Sequence, residues 1–458
     1  MNMRFLFSLG LVVSCFAADP FVVKPYLQLG DAPGLSASES MVAMWHTANE
    51  EADYRVLSKP AGAANWTAAK RPEWRLVAVR TIEPHKVWSA TLTGLKPGEA
   101  FDYRIDRGGE TVFTSHGMAR KSASQPYKFI VFGDCGQDTP AQKQIAKLTM
   151  DAKPDFVFLT GDIVYTRGRI SEYRPKHFEV YNSDLTPLLR STLFIGAPGN
   201  HDIATLDLTL NPDAQAFFYY WRQPMNGPPR KFGDKNTPAI MGDVGDVEAF
   251  LSAAGKAFPT AANFSFDYGN AHWLVLDSNP YVDMMDADLR AWIRSDLKAA
   301  GKAAWRFVGF HHPGFNSSIA HFKEQQLRKL SPLFEELGVD IVFAGHVHNY
   351  QRTHPMTFVP SADAPRAGPV EGTWTLDKKF DGAANARPKG VIYLVTGGGG
   401  AKLYNPEQQD DPASWQPFTD KFISKQNSFT TVEVDGRNLK IRQVADDGSE
   451  LDRFKVSK

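Results

Sequence analysis

Residues 155–165, DFVFLTGDIVY, set the architecture that we expect for this chain. The segment begins with an apolar run of aromatic and branched residues, which predicts a buried strand. A carboxylate and a phenol follow just beyond the point where that strand ends. Sheets of alternating strands and helices bind ligands at the carboxyl ends of their strands. We therefore interpret Asp162 and Tyr165 as members of a functional site.

The same arrangement recurs along the chain. Four further polar blocks end or follow apolar runs: GDCG at 133–136, GNHD at 199–202, HHP at 311–313 and GHVH at 345–348. Helical spacing at 141–150, 288–300 and 322–337 separates the predicted strands. This alternation predicts a layered α/β domain. Oxygen ligands and imidazoles at the ends of successive strands predict a site for two metal ions, which commonly support attack of water on a phosphate ester.

Individual residues favour a metal site for separate reasons. Asp134 and Asp162 follow buried strands, and a buried carboxylate needs a partner, of which a metal ion is the strongest. His346 and His348 point the same way if their segment is extended, so both imidazoles can face one cavity. Imidazole suits Zn, Fe and Mn alike. We expect His312 to point away from the site and to be structural.

Residues 20–120 have a different pattern, in which short strands and turns follow one another without helices. About seven strands at this spacing predict a β-sandwich. The turn at 93–98 and Tyr103 resemble the tyrosine corner of fibronectin type III domains. Because we find no catalytic constellation here, we expect a structural or docking module.

Residues 204–262 interrupt the α/β pattern with a segment rich in Pro, Gly and aromatic residues. A long irregular segment beside a functional block is usually a lid or specificity loop. The sequence leaves open whether it encloses a pocket for small monoesters or shapes a groove for longer substrates. We expect residues 397–400, GGGG, to form a tight loop, and Cys135 to be inert packing.

Length and composition narrow the protein class. With 458 residues, two domains are expected. Lys+Arg and Asp+Glu are equal at 51 each, so no overall field attracts nucleic acid or an anionic membrane. Residues 1–18 predict an export signal too short to span a bilayer, and hence a periplasmic or secreted protein without a transmembrane anchor. An alternative interpretation as a lipobox makes the protein a membrane-anchored lipoprotein, lipidated at Cys15. The oligomeric state stays open.

As an ordered set, the blocks resemble the calcineurin-like metallophosphoesterase superfamily and, more closely, the purple acid phosphatases. Tyr165, three positions after Asp162, carries the closer resemblance, together with the closing run GHVHNYQR at 345–352. The resemblance implies a β-sandwich flanked by helices at 121–458, with an insertion at 204–262. It also implies a fibronectin III-like domain at 19–120.

The resemblance further implies the metals and their ligands. Asp134, Tyr165 and His348 are expected to hold a ferric ion, and Asp162 to bridge it to a divalent Zn, Fe or Mn ion.

The second metal site and the acid groups follow from the same resemblance. Asn200, His311 and His346 are expected to complete the divalent site. His201 is expected to lie near the phosphate, and His321 to protonate the leaving group. Asp202 stands where the family often has Glu.

The expected activity is hydrolysis of small phosphate monoesters at acidic pH, with a metal-bound hydroxide as the nucleophile. One alternative is a metal-dependent phosphodiesterase that acts on nucleotides or lipid head groups. A second alternative is a secreted binding module with a relict metal site.

Overall fold

A computed structural model describes residues 19–458. The export signal predicted at 1–18, including Cys15, lies outside the described residues. Within the described part of the chain, no helix has the length and apolar character needed to cross a bilayer.

The N-terminal region is all β and consists of two four-stranded sheets, β1-β2-β6-β5 and β4-β3-β7-β8. The strands are β1 (Phe21–Gln28), β2 (Glu39–Ala48), β3 (Tyr54–Pro60), β4 (Thr67–Ala68), β5 (Glu73–Val77), β6 (His85–Leu95), β7 (Ala100–Arg107) and β8 (Glu110–Met118). Trp45 and Trp88 stack between them with ring centroids 5.9 Å apart. This region is consistent with a fibronectin III-like sandwich.

The tyrosine-corner interpretation of Tyr103 is wrong. A tyrosine corner bonds back to its own domain a few residues upstream, whereas the Tyr103 hydroxyl donates to the main-chain oxygen of Arg190 at 2.8 Å. The side chain therefore joins the N-terminal sheets to the α/β region.

The α/β region has two large sheets, β11-β10-β9-β21-β22-β23 and β12-β13-β14-β15-β19-β16-β20, and a separate pair β17-β18. The strands are β9 (Tyr127–Phe132), β10 (Phe156–Leu159), β11 (Leu193–Gly196), β12 (Phe264–Tyr268), β13 (Ala271–Val275), β14 (Trp305–Gly309), β15 (Ile341–Ala344), β16 (Tyr350–Thr353), β17 (Met356–Pro360), β18 (Gly372–Leu376), β19 (Ile392–Thr396), β20 (Thr419–Ile423), β21 (Ser428–Asp435), β22 (Asn438–Ala445) and β23 (Glu450–Ser457).

The helices are mostly short. They are α1 (Pro140–Ala152), α2 (Ile170–Tyr173), α3 (Glu179–Tyr181), α4 (Leu188–Ser191), α5 (Asn200–Ile203), α6 (Phe217–Tyr220), α7 (Val244–Ala254), α8 (Ala257–Thr260), α9 (Ala287–Ala299) and α10 (Ser331–Glu336). Arg174–Phe178 is a π-helix, and Gln326–Leu330, Pro406–Asp410 and Pro412–Ser414 are 3-10 helices. The helix expected over 322–337 is therefore only partly present, because Pro332 lacks an N–H group and belongs near a helix start. The chain closes with three consecutive antiparallel strands, β21, β22 and β23.

The two large sheets pack face to face. Phe129 and Phe158 of one sheet contact Trp273 of the other, with ring centroids 5.1 and 5.0 Å apart. Apolar residues of α1 cover the outer face of the first sheet, and those of α9 and α10 cover the outer face of the second. A β-sandwich flanked by helices is thus confirmed as the architecture.

Strand direction brings the polar blocks together. Strands β9, β10 and β11 are parallel, as are β13, β14, β15 and β19. The polar blocks follow the carboxyl ends of β9, β10, β11, β14 and β15, so both sheets deliver functional groups to one edge of the sandwich.

Part of the segment 204–262 packs in the protein interior. Residues 217–221, FFYYW, are buried. Arg75 of β5 donates to the main-chain oxygens of Phe218 and Tyr219, and the Tyr26 hydroxyl donates to that of Tyr220 at 3.0 Å. Residues 217–221 therefore join the N-terminal sheets to the α/β region, whereas residues 231–235 and 241–245 are exposed.

Candidate metal centre

Three of the predicted ligands converge on one point. The Tyr165 hydroxyl lies 3.1 Å from Asp134 Oδ1 and 2.8 Å from His348 Nε2. The same His348 nitrogen is 3.4 Å from Asp134 Oδ1. A carboxylate, a phenol and an imidazole thus present their donor atoms to one small volume.

A second group of donors surrounds His311. Its Nε2 lies 3.0 Å from Asn200 Oδ1, 3.2 Å from His346 Nδ1 and 3.3 Å from Asp162 Oδ1. Donor atoms of Asp162, Asp134 and His348 also lie within 4.8 Å of one another. Asp162 therefore belongs to both groups, as a bridging carboxylate must.

Hydrogen bonds to the outer nitrogens orient the imidazoles. His311 Nδ1 donates to the Thr160 main-chain oxygen at 2.8 Å, and His348 Nδ1 to that of Lys402 at 2.6 Å. His346 Nε2 lies 2.8 Å from a Glu324 carboxylate oxygen. Each ring therefore has its inner nitrogen free to coordinate a metal, which is the usual arrangement at metal sites. This donor set fits two metal ions.

Close backbone packing fixes the Asp134 carboxylate. Its Oδ2 accepts a hydrogen bond from the His346 amide at 2.8 Å, which leaves Oδ1 to face Tyr165 and His348. A Cβ added at Gly397 would lie 2.7 Å from Oδ2. The glycine run at 397–400 therefore allows close approach to this carboxylate, in agreement with the tight loop that we expected.

Four residues of the site have left-handed backbone conformations. The φ angles are 57° at Asp134, 48° at Asp162, 67° at His346 and 58° at His321. Non-glycine residues adopt this region rarely and at a cost of about 1–3 kcal/mol each. Strain concentrated at these positions is typical of a site whose geometry is imposed by the surrounding fold.

The electrostatic environment favours positive charge. Burial lowers the pKa of His311, but Asp162 and Asp134 outweigh that effect and raise it to about 9. Burial tends to raise the pKa of Asp162, but His311 and neighbouring imidazoles hold it well below its usual range. For Tyr165, burial and then both carboxylates raise the pKa well above 10. Coordination of its phenolate therefore requires a strongly charged cation.

The two predicted acid groups flank these donors and are partly exposed. His201 Nδ1 donates to the Thr166 main-chain oxygen at 2.7 Å, and its Nε2 is 4.0 Å from Asp162 Oδ2. His321 Nδ1 lies 2.7 Å from Glu324 Oε1, and its ring is 4.0 Å from that of His346. Both histidines are thus held through Nδ1, with Nε2 left for a substrate.

Neighbouring residues behave partly as expected. Cys135 is buried, and burial raises the pKa of its thiol, so it is inert. His312 does not turn away from the site, because its ring packs 4.3 Å from that of His346. Its Nδ1 lies 2.9 Å from Ser278 Oγ, which also accepts the His311 amide. His312 therefore lies beside the centre, and its donor atom lies within 4.8 Å of those of His311 and His346.

Sequence reasoning missed two contributors. Glu324 contacts both His321 and His346; its position three residues after His321 was the only available signal. Asp202 is buried and accepts the amides of Gly199 and Ile163 at 2.8 and 3.1 Å. It thereby ties together the loops that carry Asn200 and Asp162.

Known proteins resemble this chain in sequence and fold. Residues 127–350 match the model of the calcineurin-like phosphoesterase family. Purple acid phosphatase 23 of Arabidopsis thaliana is 23% identical over 363 residues, which cover 72% of this chain and 66% of that protein.

Two solved structures share the fold. A purple acid phosphatase, PPD1, from yellow lupin seeds superposes with a TM-score of 0.67 at 18% identity, over 96% of this chain and 75% of that one. PhoD superposes with a TM-score of 0.57 at 14% identity, over 96% of this chain and 91% of that one.

Proposed function

Since this chain contains a calcineurin-like metallophosphoesterase domain and has purple acid phosphatases among its homologues, we propose that it hydrolyses phosphate monoesters at acidic pH. The observation that carries the proposal is the convergence of two donor groups through one shared carboxylate, Asp162. The proposed substrates are small phosphate esters, which would bind at the edge of the sandwich where the polar blocks lie.

A ferric ion and a divalent ion are the proposed cofactors. Asp134, Tyr165 and His348 would hold the ferric ion, because a buried phenol beside two carboxylates ionises only next to a highly charged cation. Asn200, His311 and His346 would hold Zn, Fe or Mn, with Asp162 between the two sites. When bound, such a pair lowers the pKa of water and neutralises charge on the phosphate.

His201 and His321 are the proposed catalytic residues. The Thr166 carbonyl and the Glu324 carboxylate hold their Nδ1 atoms, so each presents Nε2 to the substrate. A proton on His201 Nε2 would stabilise negative charge on the phosphate, and one on His321 Nε2 would pass to the leaving oxygen. Both roles require a protonated imidazole, so this arrangement favours acidic conditions.

The deciding experiment is kcat/KM across pH for an aryl phosphate monoester and its diester with the same leaving group. We expect a strong monoester preference with an acidic optimum, and loss of activity in Asp134→Asn together with loss of bound metal. A diester preference or an alkaline optimum would instead assign the protein to the phosphodiesterases. A metal-loaded protein that cleaves neither compound would support the relict binding module.

We also propose export to the periplasm or medium, with an N-terminal module at 19–120 and a catalytic domain at 121–458. Cell fractionation and N-terminal sequencing of the mature protein test the export signal. Incorporation of radiolabelled palmitate, lost in Cys15→Ala, would identify a lipoprotein instead.

A further inference from the structure

A second cavity, of about 550 Å³, opens beside the candidate centre. It lies between the loop 317–324 and the segment 408–416. Its volume is within the range of about 300–1,000 Å³ that is usual for small-molecule sites. His321 and Glu324 form part of its wall, so the cavity and the metal centre share one boundary.

The shared wall determines which part of a substrate enters the cavity. Glu324 Oε1 lies 2.7 Å from His321 Nδ1. The left-handed backbone conformation of His321 fixes the direction in which its side chain projects from the loop. If His321 protonates the leaving oxygen, the alcohol part of the substrate lies on the His321 side of the phosphate. The cavity is therefore placed to receive that alcohol part.

Most polar groups of the cavity wall already have partners within the protein. Ser317 Oγ lies 2.7 Å from Thr419 Oγ1, and Ser318 Oγ donates to Asn405 Oδ1 at 3.0 Å. The Gln408 side chain donates to the Ser317 main-chain oxygen at 2.6 Å. These contacts shape the wall and leave few groups to recognise a ligand.

Lys323 and Ile319 are the exposed residues of the cavity wall. Lys323 is exposed, and both oxygens of the adjacent Glu324 are taken up by His321 and His346. Among residues 19–458, no carboxylate pairs with the Lys323 ammonium. Ile319 is 69% exposed. A free cation beside an uncovered apolar surface suits a ligand with an acidic group and an apolar face.

We propose that this cavity is a leaving-group subsite for phosphate monoesters whose alcohol part has an apolar face and a second acidic group. The proposal rests on the monoesterase function and names a substrate class for it. Lys323 binds the acidic group, and Ile319 packs against the apolar face.

The first test compares 4-carboxyphenyl phosphate with phenyl phosphate in the metal-loaded full chain. In Lys323→Gln, the ratio of their kcat/KM values should fall about two- to fivefold, the size expected for an exposed ion pair. The intrinsic reactivities of the two esters cancel, since the ratio is compared between proteins. Lys147→Gln is the control, because Lys147 is an exposed lysine of α1 that lines neither this cavity nor the metal centre.

A second variant tests the proposed apolar contact in the subsite. Ile319→Ser should lower kcat/KM for phenyl phosphate relative to ethyl phosphate by about threefold, because part of an apolar contact is lost. It should leave the ratio of carboxyphenyl to phenyl phosphate unchanged.

Binding provides a readout independent of turnover. Calorimetry with 4-carboxybenzylphosphonate and benzylphosphonate should show the same fall in affinity ratio for Lys323→Gln. An unchanged ratio in Lys323→Gln would overturn the subsite. An equal fall in Lys147→Gln would also overturn it, because that fall would reflect only the general charge of the protein. If neither ester is hydrolysed, the monoesterase function fails, while the phosphonate measurement still tests the cavity.

Discussion

Glu324 connects the proposed metal site with the proposed proton donor. One carboxylate oxygen lies 2.7 Å from His321 Nδ1, and the other lies 2.8 Å from His346 Nε2. Replacing Glu324 by Ala removes both hydrogen bonds without touching either ring. The variant should therefore weaken two separable properties, which are the metal affinity through His346 and the chemical step through His321.

The size of each effect follows from the two contacts. A hydrogen bond to a charged group contributes about 1.5–3 kcal/mol. The Glu324 side chain is 39% exposed, and because solvent screens such contacts, the lower end applies. About 1.4 kcal/mol corresponds to a factor of ten. Glu324→Ala should therefore lower the affinity of the divalent site about tenfold and, at saturating metal, lower kcat about a further tenfold.

Glu324→Gln separates charge from shape. The amide oxygen of the introduced Gln can still accept a hydrogen bond from one imidazole. The amide nitrogen faces the N–H group of the other imidazole and cannot accept from it. The variant should thus lose one of the two effects and retain most of the other. Losses of ten- to a hundredfold are usual when partners of metal-binding histidines are removed.

The assay combines calorimetric titration of the divalent metal with kcat measured at saturating metal. Glu407→Ala is the control, since Glu407 is an exposed carboxylate whose contact is with Asn405. Wild-type metal affinity in both Glu324 variants would refute the orienting role for His346. A fall in affinity with unchanged kcat would refute the role for His321 alone.

Three further predictions concern colour and stability. The iron-loaded protein should show a phenolate-to-iron charge-transfer band that disappears in Tyr165→Phe, and a colourless wild type would exclude Tyr165 as a ligand. Burial opposes protonation of His272, but Asp267 and Asp296 raise its pKa to about 9. This stabilisation, at most about 3 kcal/mol, is present below pH 6.5 and lost as the pH rises through 9. Urea unfolding should therefore show a deficit in His272→Gln at pH 6 that shrinks by pH 9.5, and a constant deficit would contradict the charge argument. Arg75→Met leaves carbonyls of the 204–262 segment unpaired and should lower the free energy of unfolding by about 1–3 kcal/mol, whereas an unchanged urea midpoint would show that the contact is dispensable.

The sequence predicts the strand ends well because two independent signals coincide there. The apolar runs at 127–132 and 156–159 match β9 and β10, and Asp134 and Asp162 follow them directly. An apolar run identifies a buried strand, and a carboxylate buried at its end needs a compensating partner. The positions of these candidate ligands were therefore accessible from local pattern alone.

The partners that orient the imidazoles were not accessible in this way. His311 and His348 donate to the main-chain oxygens of Thr160 and Lys402, and any residue type would supply such an oxygen. Glu324 lies in the loop that contains His321. Hydrophobic periodicity does not predict the left-handed backbone conformation of His321. The candidate ligands can thus be found from residue type, but the contacts that fix their geometry depend on the folded backbone.

The sequence predicts the irregular character of the segment 204–262 but not which part of it is buried. Its length and composition suggest a lid, but five consecutive aromatic residues cannot all remain exposed in a soluble protein. Tyr220 packs against His46 and His85 of the N-terminal sheets, and Phe218 and Tyr219 pack against Phe250 within the segment. The start of the segment supports the loop after Tyr165. Asp213 accepts hydrogen bonds from Ile170 N and Ser171 Oγ at 2.8 and 2.7 Å, through its main-chain oxygen and carboxylate respectively. Because that loop also supplies the carbonyl that orients His201, the segment links the N-terminal module physically to the candidate site.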